Sequence, residues 1–122
     1  MKTMLFEENA FHVILVYNNG SDSVATTALA KLYEIAVKGY RRFIIHVISP
    51  MGKPYYVEKL RDLISNNIAY TLIIKYRGPN VEDLASLAHE VKDKPHLVLV
   101  SHDMIEYYNV ALTRGLSVEK IS

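Results

Sequence analysis

Cysteine is absent from this chain of 122 residues, which removes disulfides, thiol nucleophiles and cysteine-based zinc sites from consideration. Tryptophan and glutamine are missing as well, and glycine and proline number only five and four, so no stretch has the composition of a linker or a disordered tail. Loss of thermolabile residue types beside retained Lys, Glu and nine tyrosines is the usage expected of a warm-growing source. Charge of one sign is scarce too. Fourteen Lys and Arg against 13 Asp and Glu leave +1, too weak a field to hold nucleic acid broadly, although Lys38, Arg41 and Arg42 form a local basic group. Specific DNA binding is therefore disfavoured. No apolar run approaches the ~20 residues that span a bilayer, and residues 1–10, with Glu7 and Glu8, lack the apolar centre of a signal peptide. These absences predict a cytoplasmic protein without membrane contact.

Half of the residues are apolar and 22% are charged, and a chain of this length can bury roughly two thirds of its unfolded surface in one core. Residues 1–122 therefore read as a single domain. Apolar runs of strand length lie at 12–17, 43–48, 70–76 and 96–101, the last reading Leu-Val-Leu-Val between Pro95 and a Ser-His-Asp turn. Between them the spacing is helical. Over 24–38, Ala28, Leu29, Leu32, Ile35 and Ala36 share a stripe; 56–66 has Val57, Leu60, Leu63 and Ile64; 81–92 has Leu84, Leu87, Ala88 and Val91. A fourth helix is predicted over 104–114, ending at Gly115. Gly39 marks the end of the first helix, and Pro54 and Pro79 mark the entries to the next two.

Strict alternation of strand and helix predicts a parallel sheet covered on both faces, a Rossmann-like three-layer α/β/α sandwich of four or five strands. The right-handed crossover rule favours the order 3-2-1-4. Residues 116–122 then form either a fifth strand beside the fourth or the end of the last helix. In that order the winding reverses between the first and fourth strands, so the C-terminal tips at 18–23 and 101–103 flank one crevice. The first tip is the more telling. Val13 to Tyr17 drives an apolar strand into Asn19-Gly20-Ser21-Asp22-Ser23, a polar turn that opens a helix, where unpaired N–H groups attract anions. The same serines and aspartate also fit simple N-caps, worth about 1 kcal/mol.

From Phe11 to Ser117 the chain resembles the universal stress protein family. The resemblance rests on Asn19-Gly20-Ser21 in place of an Asp-Gly-Ser turn, the small-residue helix from Ala25 to Ala36, and the phrase His46-Val47-Ile48-Ser49-Pro50. It continues through Arg77-Gly78-Pro79-Asn80, the helix Leu84-Ala85-Ser86-Leu87-Ala88-His89-Glu90, and the strand Leu97-Val98-Leu99-Val100-Ser101-His102. What it implies is a regulatory or stress-associated module without enzymatic activity, a homodimer, and a nucleotide or small anion held by Asn19, Gly20, Ser21, Asp22 and Ser23 opposite Ser101 and His102. Two departures bear on ATP. The Gly-rich loop after the fourth strand is replaced by Ser101-His102-Asp103-Met104-Ile105-Glu106, and the acid heading the first turn by Asn19.

Other constellations compete. Gly20, Asp22 and Ser23 also match the loop of ATP pyrophosphatases, which is similar in its Ser-Gly-Gly-X-Asp-Ser pattern, although the chain is short for that group. Glu82 and Asp83 followed by Asp103 resemble the C-terminal half of PIN and NYN nucleases, which implies a metal-dependent ribonuclease with Glu82, Asp83 and Asp103 as its acids. Tyr17, Asn18 and Asn19 stand where that group places its first acid, and Glu82 and Asp83 also fit a solvated helix face. The five histidines show no metal spacing, and His46, inside an apolar strand, reads as a satisfied core group. Tyr55-Tyr56 and Tyr107-Tyr108 suit a subunit interface or a stacked ring.

Overall fold

The structure, a computed structural model, describes residues 10–18, 22–50, 60–62 and 66–121. Its strands are β1 (Phe11–Val16), β2 (Arg42–Ile48), β3 (Thr71–Gly78), β4 (His96–Ser101) and β5 (Val118–Ile121). Its helices are α1 (Asp22–Val37), α2 (Val81–Val91) and α3 (Ile105–Thr113). The sheet runs β3-β2-β1-β4-β5 with every pair parallel, so the Rossmann-like order expected from the alternation is the one observed. The C-terminal residues settle as the fifth strand, Val118 standing opposite Val98 and Ile121 opposite Ser101.

Alternation along the central strands sorts the core into two layers. Val13, Leu15, Phe43, Ile45 and Val47 face α1, whose Val24, Ala25, Ala28, Leu32 and Ala36 lie on the helical stripe that covers them. Ile14, Val16, Ile48, Val98 and Val100 face the other way, under Leu84, Leu87 and Val91 of α2 and Ala111 of α3. Of the helix expected over 56–66, residues 60–62 form a helical turn whose Leu60 packs in the α1 layer, and most of the rest lies outside the described residues.

Boundaries differ from expectation at two places that matter for the site. Helix α1 begins at Asp22, so Asp22 and Ser23 belong to its first turn and not to the loop before it. Strand β3 runs on to Gly78, because it carries one extra residue, Arg77, between the Val47–Tyr76 and Ile48–Gly78 pairs. Such a bulge re-aims a side chain. Gly78 closes it at φ +133°, a backbone angle that L side chains rarely adopt, and a Cβ there would run into the Asp83 carboxylate. Asp83 in turn accepts the backbone N–H of Asn80 at 2.8 Å, capping α2.

Candidate functional site

The sheet reverses its winding between β1 and β4, and the two strands pair in parallel from His12 opposite His96 to Val16 opposite Val100. Their tips are joined by side chains. Asp103 accepts the Ser101 hydroxyl at 2.7 Å and the Asn18 amide at 3.2 Å, so one carboxylate bridges the end of β4 and the end of β1. Tyr17 N–H donates to Ile48 O and Met104 N–H to Ser101 O, which fixes both exits. At the tip of β2, Ser49 is fully buried; its N–H donates to Gly78 O and its carbonyl accepts the Tyr76 hydroxyl. Its own Oγ has no hydrogen-bond partner among the described residues, an arrangement that costs about 1–3 kcal/mol until something fills it.

Of the residues expected to hold an anion, Asn19, Gly20 and Ser21 lie outside the described residues, and Asp22 and Ser23 open α1. Ser101 is buried at the switch point with its hydroxyl committed to Asp103. His102 is exposed and its backbone N–H donates to Ile121 O of β5. The three acids of the nuclease reading have separate surroundings: Glu82 lines a groove between α2 and α3, Asp83 caps α2, and Asp103 bridges the strand tips. Among the described residues, no group of three or more His, Cys, Asp or Glu gathers as metal ligands would. The tyrosines are held within the chain, the Tyr107 hydroxyl donating to Pro79 O at 2.9 Å and the Tyr108 ring lying under Lys120 Nζ at 4.6 Å, while Tyr55 and Tyr56 lie outside the described residues.

The sequence places Asn18 in the 18–23 tip that flanks the crevice, but neither its bond to Asp103 nor the buried Ser49 is foreseen there. The spacing of Ser101 and Asp103 is a local signal for a side-chain-closed turn, whereas Asn18 reaches Asp103 across 85 residues and leaves no such signal.

A second polar feature runs through the α2 side of the sheet. Arginine can only donate, so Arg77 Nη1, 3.1 Å from His46 Nδ1, fixes that nitrogen as the acceptor. The ring proton then sits on Nε2 and is donated to His12 Nδ1 at 3.0 Å. Nη2 of the same arginine pairs with Glu90 at the end of α2. Burial, then the neighbouring His12, Arg77, Lys75 and Lys94, push the His46 imidazole down to about 3. At neutral pH it is therefore an uncharged link in a buried chain, not a group that trades protons, and His46 is satisfied at both nitrogens as a core histidine should be. The bulge that places Arg77 is what completes the chain.

Fold and site together define an α/β Rossmann-like protein with a polar switch point. No family model and no curated protein matches the chain. Among solved structures it is similar to an uncharacterized protein from Corynebacterium glutamicum ATCC 13032 Kitasato, at 16% identity and a TM-score of 0.47, with 91% of this chain and 84% of that chain covered. No helix among the described residues is long and apolar enough to cross a membrane.

Proposed function

We propose that this chain is a regulatory or stress-associated module of universal stress protein type, without catalytic activity, which holds a nucleotide or another small anion at the first strand-to-helix turn and works as a cytoplasmic homodimer. One observation carries the reading: β1 and β4 are parallel neighbours at the reversal of winding, with α1 opening at Asp22 directly beyond β1. Open α/β sheets bind ligands outside the strand tips at such a point, and a helix N-terminus there favours negative charge. The Ser49 hydroxyl at the neighbouring tip is buried without a hydrogen-bond partner among the described residues, which adds a polar group beneath the crevice. Asp103 works against this, since its carboxylate repels phosphate across the same crevice.

Thermal-shift measurements with ATP, AMP, cyclic nucleotides and inorganic phosphate test the proposal. A ligand present at about 100 times its Kd adds roughly 2.7 kcal/mol to the folded state, a rise of several degrees for a domain of this size. A flat response to all four overturns it. RNA cleavage that requires Mg²⁺ or Mn²⁺ and disappears in Asp103→Asn would put the nuclease reading in its place.

A further inference from the structure

Because every strand pair is parallel, the segments that lead into the strands lie together along one rim of the sheet. Those leading into β2, β3, β4 and β5, residues 38–41, 66–70, 92–95 and 114–117, hold Lys38, Arg41, Lys92, Lys94 and Arg114 against one acid, Asp93. Arg42, the first residue of β2, adds to the basic group. The opposite rim is acidic, with Glu82, Asp83 and Glu106 in the first turns of α2 and α3 and Asp103 just beyond β4. A net charge of +1 thus conceals two rims of opposite sign. Lys38, Lys92, Lys94 and Arg114 are exposed and Arg42 is partly so, and none of these five is in an ion pair among the described residues. Arg41 uses one N–H on Ile68 O at 2.9 Å and keeps the others for a ligand. Glu7 and Glu8, which precede β1 in the middle of the row, lie outside the described residues.

An aromatic side chain stands in the same row. The backbone N–H of Tyr70 donates to Arg41 O at 2.7 Å, which seats this residue beside the basic group at the start of β2, yet Tyr70 is 71% exposed. From the other flank, Lys94 lies close enough to His46 of β2 to act on its proton, so the cations that precede β4 reach across β1 towards those of β2. Adjacent strands are about 4.8 Å apart, and the row from β3 to β5 is therefore roughly 19 Å long. Spaced cations with an exposed ring suit a single-stranded nucleic acid, whose phosphates follow the charges while an unpaired base stacks on the aromatic face. We propose that this rim binds single-stranded nucleic acid without sequence preference, a base lying on Tyr70 and the backbone running from Arg42 and Lys38 across to Lys94 and Arg114. The exposed ring decides for a nucleic acid over an acidic protein, since every base carries a π-face. The rim is at the opposite end of the strands from the crevice between β1 and β4, so the inference is independent of the anion site and of the number of subunits.

The test is fluorescence anisotropy of the full chain with a labelled oligothymidylate and, separately, a labelled oligouridylate of about 12 nucleotides, a length within the ~4–16 nucleotides that single-strand sites cover. Both are expected to bind at low salt. The logarithm of the affinity should fall against the logarithm of salt concentration with a slope of about −3.5 if the five cations outside ion pairs each meet one phosphate. Lys38→Ala/Arg42→Ala and, separately, Lys92→Ala/Lys94→Ala should each flatten that slope by about 1.4, with circular dichroism confirming the fold. Tyr70→Ala should weaken binding by about fivefold or more at an unchanged slope, and Tyr70→Phe, which keeps the ring, should bind like the parent. No binding to either oligonucleotide overturns the proposal. So does binding that Tyr70→Ala leaves at full strength, which would make the rim a general polyanion surface, and so does binding that neither double variant disturbs, which would place the nucleic acid elsewhere on the molecule.

Discussion

Replacing His46 by glutamine keeps a carbonyl for Arg77 and an N–H for His12 but removes the group that titrates, and its effect can be worked out from the chain of hydrogen bonds. In the unfolded protein His46 takes up a proton near its ordinary value of 6.5; in the folded protein burial holds it down to about 3. Between those values the unfolded state binds one more proton than the native state, so stability is fully present above 6.5 and is lost as pH falls towards 3. The loss is about 1.4 kcal/mol per pH unit, hence about 2 kcal/mol by pH 5 and on the order of 5 kcal/mol over the full interval. Urea unfolding followed by circular dichroism at pH 7 and pH 5 measures it directly. The parent should lose about 2 kcal/mol more than His46→Gln across that interval. Equal losses in the two proteins would refute the assignment of His46 as a neutral link whose protonation the fold forbids.

Gly78→Ala forces a positive φ on a residue with a Cβ and pushes the Asp83 carboxylate out of its contact with Asn80, so thermal or urea unfolding should show a loss of roughly 2–3 kcal/mol; an unchanged midpoint contradicts the bulge. Leu84→Ala empties a fully buried position between α2 and the sheet and should cost about 2–5 kcal/mol by the same assay, with less than 1 kcal/mol pointing to a loosely packed layer. Asp103→Asn removes a negative charge from the crevice while keeping an acceptor for Ser101, so it should tighten whatever phosphate or nucleotide binding the parent shows in thermal-shift titrations; weaker binding would mean that the carboxylate takes part in holding the ligand.

Much of the architecture is legible in the chain because β1, β2 and β4 are buried on both faces and write themselves as continuous apolar runs, while Leu84, Leu87, Ala88 and Val91 keep a helical period. The end of β3 is not legible: Tyr76-Arg77-Gly78 looks like the start of a turn, and only pairing with Val47 and Ile48 reveals a bulge that extends the strand. The crevice follows from topology, but its occupant does not. Asp103 attracts attention in the sequence as a metal-binding acid, whereas in the fold it accepts from Ser101 and Asn18. His46 can be read as a core residue from its apolar neighbours, yet its partners His12 and Arg77, and the Glu90 that pairs with Arg77, come from three other elements and have no local signature.

The most direct measurement is a backbone amide NMR titration of the intact protein with ATP and, separately, with inorganic phosphate. The account predicts saturable shifts gathered at the tips of β1, β2 and β4, on Tyr17, Asn18, Ser49 and Ser101 to Asp103, and along the first turn of α1 from Asp22. Saturable shifts confined to another part of the molecule, or none with either ligand, would contradict it.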